Sequence, residues 1–220
     1  MKKILIYSQI DPYFINPIMN EVANKYINFE IEVYISRSHP KRIIKTIITI
    51  FLFSKLLNIF KAFKNKERLN SRIKIVRKIK KKYDLILCFA HQNKIKNLNS
   101  RIIFNFHLGN LVSQRGSFIF FHKFKYGWNY IALTCHQMTN TLDKGGIINY
   151  KKIYVKNLDA IGVLNLYKKN IMFIFDSINY ILKKKHSYKI NISKQINKQP
   201  TYFEILKIYF KHCMKILWLN

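Results

Sequence analysis

Apolar residues fall along this chain in two rhythms, short runs of β type and spacings of three and four residues of helical type. Lys3 to Tyr7 (KILIY) is a short β-rich run, and Asp11-Pro12 marks a turn after it. From Ile15 to Tyr26 the apolar positions Ile15, Ile18, Met19 and Val22 recur at helical spacing, and Phe29 to Ile35 alternates as a second strand. Strand, helix, strand at this spacing predicts a parallel α/β unit. Tyr83 to Phe89 (YDLILCF) is a continuous apolar run of the kind buried on both faces of a sheet, and Arg101 to His107 (RIIFNFH) is another. Phe118 to Tyr126 predicts a helix. Asn129 to His136 and Ile147 to Val155 predict two strands joined by a polar loop, and Ala160 to Lys184 predicts one long final helix. Gln199-Pro200-Thr201 is a helix start, followed by a short amphipathic piece from Tyr202 to Phe210. The expected class is α/β, a mostly parallel twisted sheet flanked by helices over residues 1–184, with a helical tail over 185–220.

Arg37 to Lys82 reads as mostly helical and very basic. Within it, Ile43 to Phe63 is strongly apolar, but Lys45, Lys55 and Lys61 interrupt it. The uninterrupted stretch is shorter than the roughly 20 residues of a spanning helix. An amphipathic helix packed on the sheet is expected, with a helix lying on a membrane surface as the alternative.

Composition changes this picture only in part. A chain of 220 residues, 49% hydrophobic and 15% aromatic, supports one core and excludes global disorder. The net charge of +30 suggests a polyanion, yet the lysines are spread end to end. They accompany an excess of Ile and Asn, the triple bias that AT-rich codon usage imposes. Cys88, Cys135 and Cys213 have no metal-ligand spacing, so reduced thiols in a cytoplasmic protein are expected and no metal is. The basic-then-apolar start is followed after a few residues by Ser8, Gln9 and Asp11, so it reads as a strand rather than a signal peptide.

Candidate chemistry gathers between Asn105 and Ile148. Five of the six glycines lie there, and Asp143 is the one acidic residue from Leu85 to Leu158. Asn105 and His107 stand two apart at the carboxyl end of a strand, so they share a face and project into the crevice where open α/β sheets bind ligands. An asparagine amide is a neutral oxyanion donor, a histidine titrates near neutrality, and a carboxylate orients or charges it. Taken singly, each residue has a plainer reading: a polar cap for Asn105 and His107, turn chemistry for Asp143, a core histidine for His136.

The spacing adds more. From Asn105 the sequence runs N-F-H-L-G-N-L-V-S-Q-R-G, and from Thr134 it runs T-C-H-Q-M-T-N-T-L-D-K-G-G-I-I. These blocks resemble, without a gap, the N-x-H-P-S-L-L-P-x-x-R-G and T-x-H-x-M-x-x-x-x-D-x-G-x-I-I patterns of the folate-dependent formyltransferase family. The second block looks most like the bacterial nucleotide-sugar N-formyltransferases. The resemblance implies a Rossmann-like formyltransferase domain that uses N10-formyltetrahydrofolate. It implies that Asn105 holds the developing oxyanion, that His107 assists there and in proton transfer, and that Asp143 orders a water and shuttles protons. It implies a pterin seat at the loop after the fourth strand, including Phe89, Ala90 and His91, together with backbone near Leu142. Arg115, Gly116, Thr134 and His136 would support the substrate or the site.

The family's prolines are replaced by Leu108 and Val112, which removes two conformational locks. The turn at Ser8 to Asp11 lacks the glycine-rich phosphate loop of the enzyme acting on glycinamide ribonucleotide. The length after the core is too short for the extra barrel of the tRNA-formylating relative. The resemblance therefore implies a nucleotide-linked amino sugar as acceptor, in lipopolysaccharide or other cell-surface glycan synthesis, and a homodimer joined through the tail. Neither nucleic acid nor a membrane is an expected partner. The alternatives are a formyltransferase with another amine acceptor, or a drifted, non-catalytic basic binding protein.

Overall fold

A computed structural model describes residues 2–8, 12–36, 40–64, 67–79, 83–89, 103–138, 145–183 and 196–217. Among these residues seven strands form one sheet in the order β3-β2-β1-β4-β5-β6-β7. They are β1 (Lys2–Ser8), β2 (Phe29–Ile35), β3 (Ile73–Ile75), β4 (Leu85–Phe89), β5 (Ile103–Leu108), β6 (Tyr130–Gln137) and β7 (Ile147–Tyr154). The first five pair in parallel, whereas β6 is antiparallel to both β5 and β7. β6 is thus the one reversed strand of the seven described. The expected α/β class with a mostly parallel sheet is the one found. The described helices are α1 (Pro12–Lys25), α2 (Pro40–Phe53), α3 (Leu56–Lys64), α4 (Ile119–Tyr126), α5 (Ala160–Leu164), α6 (Leu166–Lys169), α7 (Ile171–Leu182) and α8 (Tyr202–Leu217).

Alternate residues of a strand face opposite sides, and the two sides of this sheet differ. Ile4, Ile6, Leu85, Leu87 and Phe106 face a large core that takes in Met19 of α1, Phe121 of α4, Ile174 of α7 and Ile205 of α8. Leu5, Tyr7, Ile86, Cys88 and Ile103 face the other way, in a smaller cluster to which the described helices contribute no buried residue. On that second side Glu32 is fully buried and accepts a hydrogen bond from the Tyr83 hydroxyl at 2.7 Å. The central strand β4 is buried along its whole length, as its unbroken apolar run predicts.

Four sequence expectations change. The long helix expected over Ala160 to Lys184 is three shorter ones. Asp159 caps α5 by accepting from Gly162 N at 2.7 Å, and Asn170 donates its side-chain amide to Leu166 O at 2.9 Å. Asparagines of this kind compete with the backbone for its own hydrogen bonds, and Asn165 and Asn170 stand at the two breaks. The basic segment Arg37 to Lys82 contains the edge strand β3, too short and too interrupted by cations to read from its pattern. The tail helix runs to Leu217 rather than to Phe210. Ile43 to Phe63 is two helices rather than one packed on the sheet, and α2 rests on α5 and α8. Among the described residues no helix is long and apolar enough to cross a membrane.

Candidate active site

The register of β5 between its neighbours assembles the site. Asn105 stands opposite Cys88 of β4 on one side and His136 of β6 on the other, and His107 stands opposite Thr134. Paired residues of adjacent strands lie on the same face, so Asn105, His107, Thr134 and His136 form one cluster on the second side of the sheet. All four are buried, Asn105 to 2% exposure and His136 to 1%. The two imidazoles meet edge to face, with ring centroids 6.5 Å apart.

Hydrogen bonds fix the polar atoms. His136 Nδ1 lies 3.1 Å from the carbonyl of Gln137, which only accepts, so Nδ1 carries the proton and Nε2 presents a lone pair. Asn105 Nδ2 donates to that lone pair at 3.2 Å. This contact decides which way the Asn105 amide is turned. Its second N–H remains for another acceptor, and Asn105 Oδ1 is buried with no hydrogen-bond partner among the described residues. His107 Nε2 lies 3.2 Å from the carbonyl of Gln114, which places the ring proton on Nε2. Thr134 donates its hydroxyl to Gly109 O at 2.8 Å.

The loop after β5 folds back over the strand ends, and Gln114 organises it. The Gln114 side chain donates to Tyr130 O at 2.7 Å and accepts from Asn110 N at 3.1 Å and Ala132 N at 3.3 Å. The Asn110 side chain accepts from Val112 N at 2.8 Å. Gly109 has φ of +141°, and a Cβ there would lie 2.5 Å from Gln114 O and 2.8 Å from His107 Nε2. Glycine is therefore required for the close approach that orients His107. Gln114 was not among the sequence candidates. Its burial beside a polar loop is the property that marks it, and a sequence does not display burial.

Arg115 and Gly116 are placed differently. The Arg115 carbonyl accepts from Asn197 N at 2.7 Å and from Asn197 Nδ2 at 3.0 Å, and Gly116 bridges to Asn197. Through their backbone these two residues join the loop to the segment before α8. Phe89 is fully buried and stacks on Phe106, centroids 4.7 Å apart, in the large core on the opposite side of the sheet. A ligand on the Asn105 side would meet Phe89 through its backbone. Ala90, His91, Leu142 and Asp143 lie outside the described residues.

Among the described residues no group of histidine, cysteine, aspartate or glutamate has the arrangement of a metal site. The Cys88 and Cys135 thiols are fully buried, and desolvation pushes both far above the ordinary thiol value. A nucleophilic thiolate at either position is disfavoured. The cluster instead offers a fixed neutral amide with one spare donor and one spare acceptor, next to an oriented imidazole.

No protein-family model matches the chain, and comparison with curated protein sequences finds no match. Solved structures do match. The N-formyltransferase from Helicobacter canadensis, solved with folinic acid and dTDP-3-aminofucose, superposes with a TM-score of 0.61 and 19% identity, covering 94% of this chain and 79% of its own. WlaRD, a sugar 3N-formyl transferase solved in the presence of dTDP and 5-N-formyl-THF, gives 0.59 and 19% over 94% and 78%. HypX from Aquifex aeolicus gives 0.57 and 13% over 91% of this chain, which spans only 31% of HypX. At these identities the likeness is one of fold, and the fold is the one the two sugar-linked N-formyltransferases adopt.

Proposed function

We propose that this chain transfers the formyl group of N10-formyltetrahydrofolate to the amine of a nucleotide-linked amino sugar, in the synthesis of lipopolysaccharide or another cell-surface glycan. The observation that carries this reading is the buried Asn105 amide, turned by His136 and left with one N–H and one oxygen to offer, beside His107 at the end of β5. An unpaired buried acceptor costs about 1–3 kcal/mol, which a ligand supplying a donor would offset. A formyl carbonyl and an incoming amine present the two complementary groups, so the residues fit this donor and acceptor.

When bound, N10-formyltetrahydrofolate supplies a formyl carbon activated by its attachment to nitrogen. The spare N–H of Asn105 donates to the formyl oxygen, where negative charge develops as the amine adds. Asn105 Oδ1 accepts an N–H of that amine and holds its nitrogen towards the carbon. A preorganised donor of this kind is worth about 10²–10³ in rate. His107, oriented by Gln114 O, stabilises the same charge and takes part in moving the proton. Asp143 receives a proton from the amine through an ordered water and returns one to the departing nitrogen as the old C–N bond breaks. Phe89, Ala90 and His91, with backbone near Leu142, seat the pterin, while Thr134, Arg115 and Gly116 hold the loop over the strand ends. The excess of cations attracts the phosphates of the nucleotide.

The nucleotide sugar is favoured over other amines because the Helicobacter canadensis enzyme and WlaRD, solved with dTDP-3-aminofucose and dTDP respectively, superpose at TM-scores of 0.61 and 0.59 with 19% identity, above the 0.54 and 9% of a methionyl-tRNA formyltransferase. A homodimer working in the cytoplasm accords with this reading. The test is to mix the chain with N10-formyltetrahydrofolate and a panel of dTDP-linked 3-amino and 4-amino sugars, following products by mass. A gain of one formyl group, lost in Asn105→Ala and His107→Ala, is the expected result. Formylation of a different amine would correct the acceptor. No product and no folate binding would refute the reading.

A further inference from the structure

Helix α2 packs Phe53 into the large core, and polar residues share that inward side. The Arg42 guanidinium lies 6.0 Å from the centre of the Phe118 ring, and the Lys45 ammonium 5.1 Å from that of Tyr202. Thr46 and Thr49 return their hydroxyls to Arg42 O and Lys45 O at 3.0 and 2.8 Å, and Thr49 is fully buried. The opposite stripe, Ile43, Ile44, Ile47 and Phe51, is 47–54% exposed. On α3 the outward residues are Leu56, Leu57 and Phe60, each more than 60% exposed. On α8 they are Phe203, Leu206, Phe210 and Met214, spaced as one helical stripe, with Phe203 at 77%. α2 packs against both α3 and α8, so the three stripes lie on adjoining helices. Isolated exposed apolar residues need no explanation, but adjoining stripes on three helices mark a surface that something covers.

Charge identifies the occupant. From Val33 to Lys66 the chain has no acidic residue, while Lys41, Lys55, Lys61 and Lys64 are exposed on or between the helices that carry the apolar stripes. The one carboxylate on α8, Glu204, is paired with Lys125 at 2.5 Å. A second copy of the chain seated on this face would set these cations against their own kind, so a homodimer joined through the tail would use a part of it other than this stripe. An anionic lipid surface complements both features, taking apolar side chains into the headgroup–acyl boundary and lysines onto its phosphates.

We infer that the face formed by α2, α3 and α8 docks the protein peripherally on an anionic lipid bilayer. The alternative that the apolar pattern of Ile43 to Phe63 left open is thus the one taken up, while Phe53 and Ile59 of the same segment pack inwards. The inference stands independently of the formyl-transfer chemistry, since no residue of the Asn105 cluster takes part.

The experiment sediments the full chain with vesicles of phosphatidylglycerol and phosphatidylcholine in equal parts, and with vesicles of phosphatidylcholine alone. Binding to the first and not the second is expected. Phe51→Ser, Phe60→Ser and Phe210→Ser combined keep every charge and alter only exposed positions, so the fold survives. This variant is expected to bind on the order of 1,000-fold more weakly, since each of the three rings contributes roughly tenfold when buried. Lys55→Gln with Lys61→Gln is expected to weaken binding about 30-fold, at roughly fivefold per cation. Unchanged binding by the triple variant overturns the inference in favour of general adsorption by a basic protein. So does a wild-type chain that ignores anionic vesicles, or one that instead forms a dimer which the triple variant abolishes.

Discussion

Replacing His136 with phenylalanine keeps a flat buried ring on β6 and removes both nitrogens. Among the contacts that disappear are the 3.2 Å bond from Asn105 Nδ2 and the 3.1 Å bond to Gln137 O. Asn105 Oδ1 already has no partner among the described residues, so the whole side-chain amide becomes unsatisfied inside the protein. Leaving one more buried N–H unpaired costs about 1–3 kcal/mol. For a chain of this size each kcal/mol is worth about 2–4 °C, so the melting temperature is expected to fall by about 6 °C. The amide is also released to rotate, and misplacing a group that contacts the reacting atoms costs on the order of 10²-fold. The kinetic signature is a fall in kcat with KM little changed, because the interaction at stake is made to the charge that develops in reaction. Circular dichroism melts and formyl-transfer assays on His136→Phe, Asn105→Ala and the double variant give a cycle with a coupling of about 0.5–3 kcal/mol. His136→Gln returns an acceptor near the lost Nε2 and is expected to recover part of both losses. Strict additivity in the cycle, or a phenylalanine variant with unaltered kcat, would refute the assignment of His136 as the residue that positions Asn105.

Other consequences are as direct. Gly109→Ala forces a Cβ to within 2.8 Å of His107 Nε2 at φ of +141°, so a stability loss of about 1–3 kcal/mol is expected, with a larger drop in kcat than in Gly127→Ala, whose Cβ meets nothing within 4 Å. Equal kinetics in the two variants would sink the claim that Gly109 serves the site. Ellman's reagent should label Cys213 alone in the native protein, with Cys88 and Cys135 reacting only after unfolding, because both are fully buried. His122 is buried against Tyr126, and desolvation holds it below the ordinary histidine value of 6.5 despite the carbonyl of Lys198. Its folded value is the lower one, so the unfolded chain takes up the proton first. The contribution is therefore whole above 6.5 and is lost as pH falls through 6.5 to the folded value. Melts of His122→Gln should show a shallower loss of stability below pH 6.5 than the wild type, and parallel curves would exclude this histidine as the cause.

The Asn105–His136 cluster was legible because the starts of the two motif blocks lie on two strands that pair, whereas Asp143 of the second block lies outside the described residues. Asn105 and His107 lie two apart on β5, Thr134 and His136 two apart on β6, and antiparallel register sets 105 against 136 and 107 against 134. Spacing alone therefore preserves the cluster. The parallel strands were legible for a similar reason, since an unbroken run such as Leu85 to Phe89 has few other homes. What stayed hidden depends on contacts distant in sequence. β3 is three residues held by Val33 and its neighbours on β2, and nothing within Ile73 to Ile75 announces a strand. The outward apolar stripe of α2 misled for the opposite reason: periodicity shows that a helix has two faces but not which one turns inwards.

Leu108 and Val112 stand where the family pattern has prolines, and the loop would be loose if those rings were its only restraint. It is held by amides instead. Gln114 ties Tyr130 O, Asn110 N and Ala132 N together, and Asn110 closes a turn on Val112 N. A glutamine with three bonds in a buried setting restricts more of the loop than a proline, which fixes one dihedral. Val112 is 45% exposed, so the loop tip makes no demand on that side chain. The polar arrangement beneath is harder to keep without a use. An apolar residue at position 105 would remove an unpaired buried oxygen and end the dependence on His136, at a gain in stability. A chain released from binding anything at this face would have every physical reason to make that exchange. The amide that remains, half satisfied among the described residues and turned by His136, accords with the proposal that its partner is a ligand.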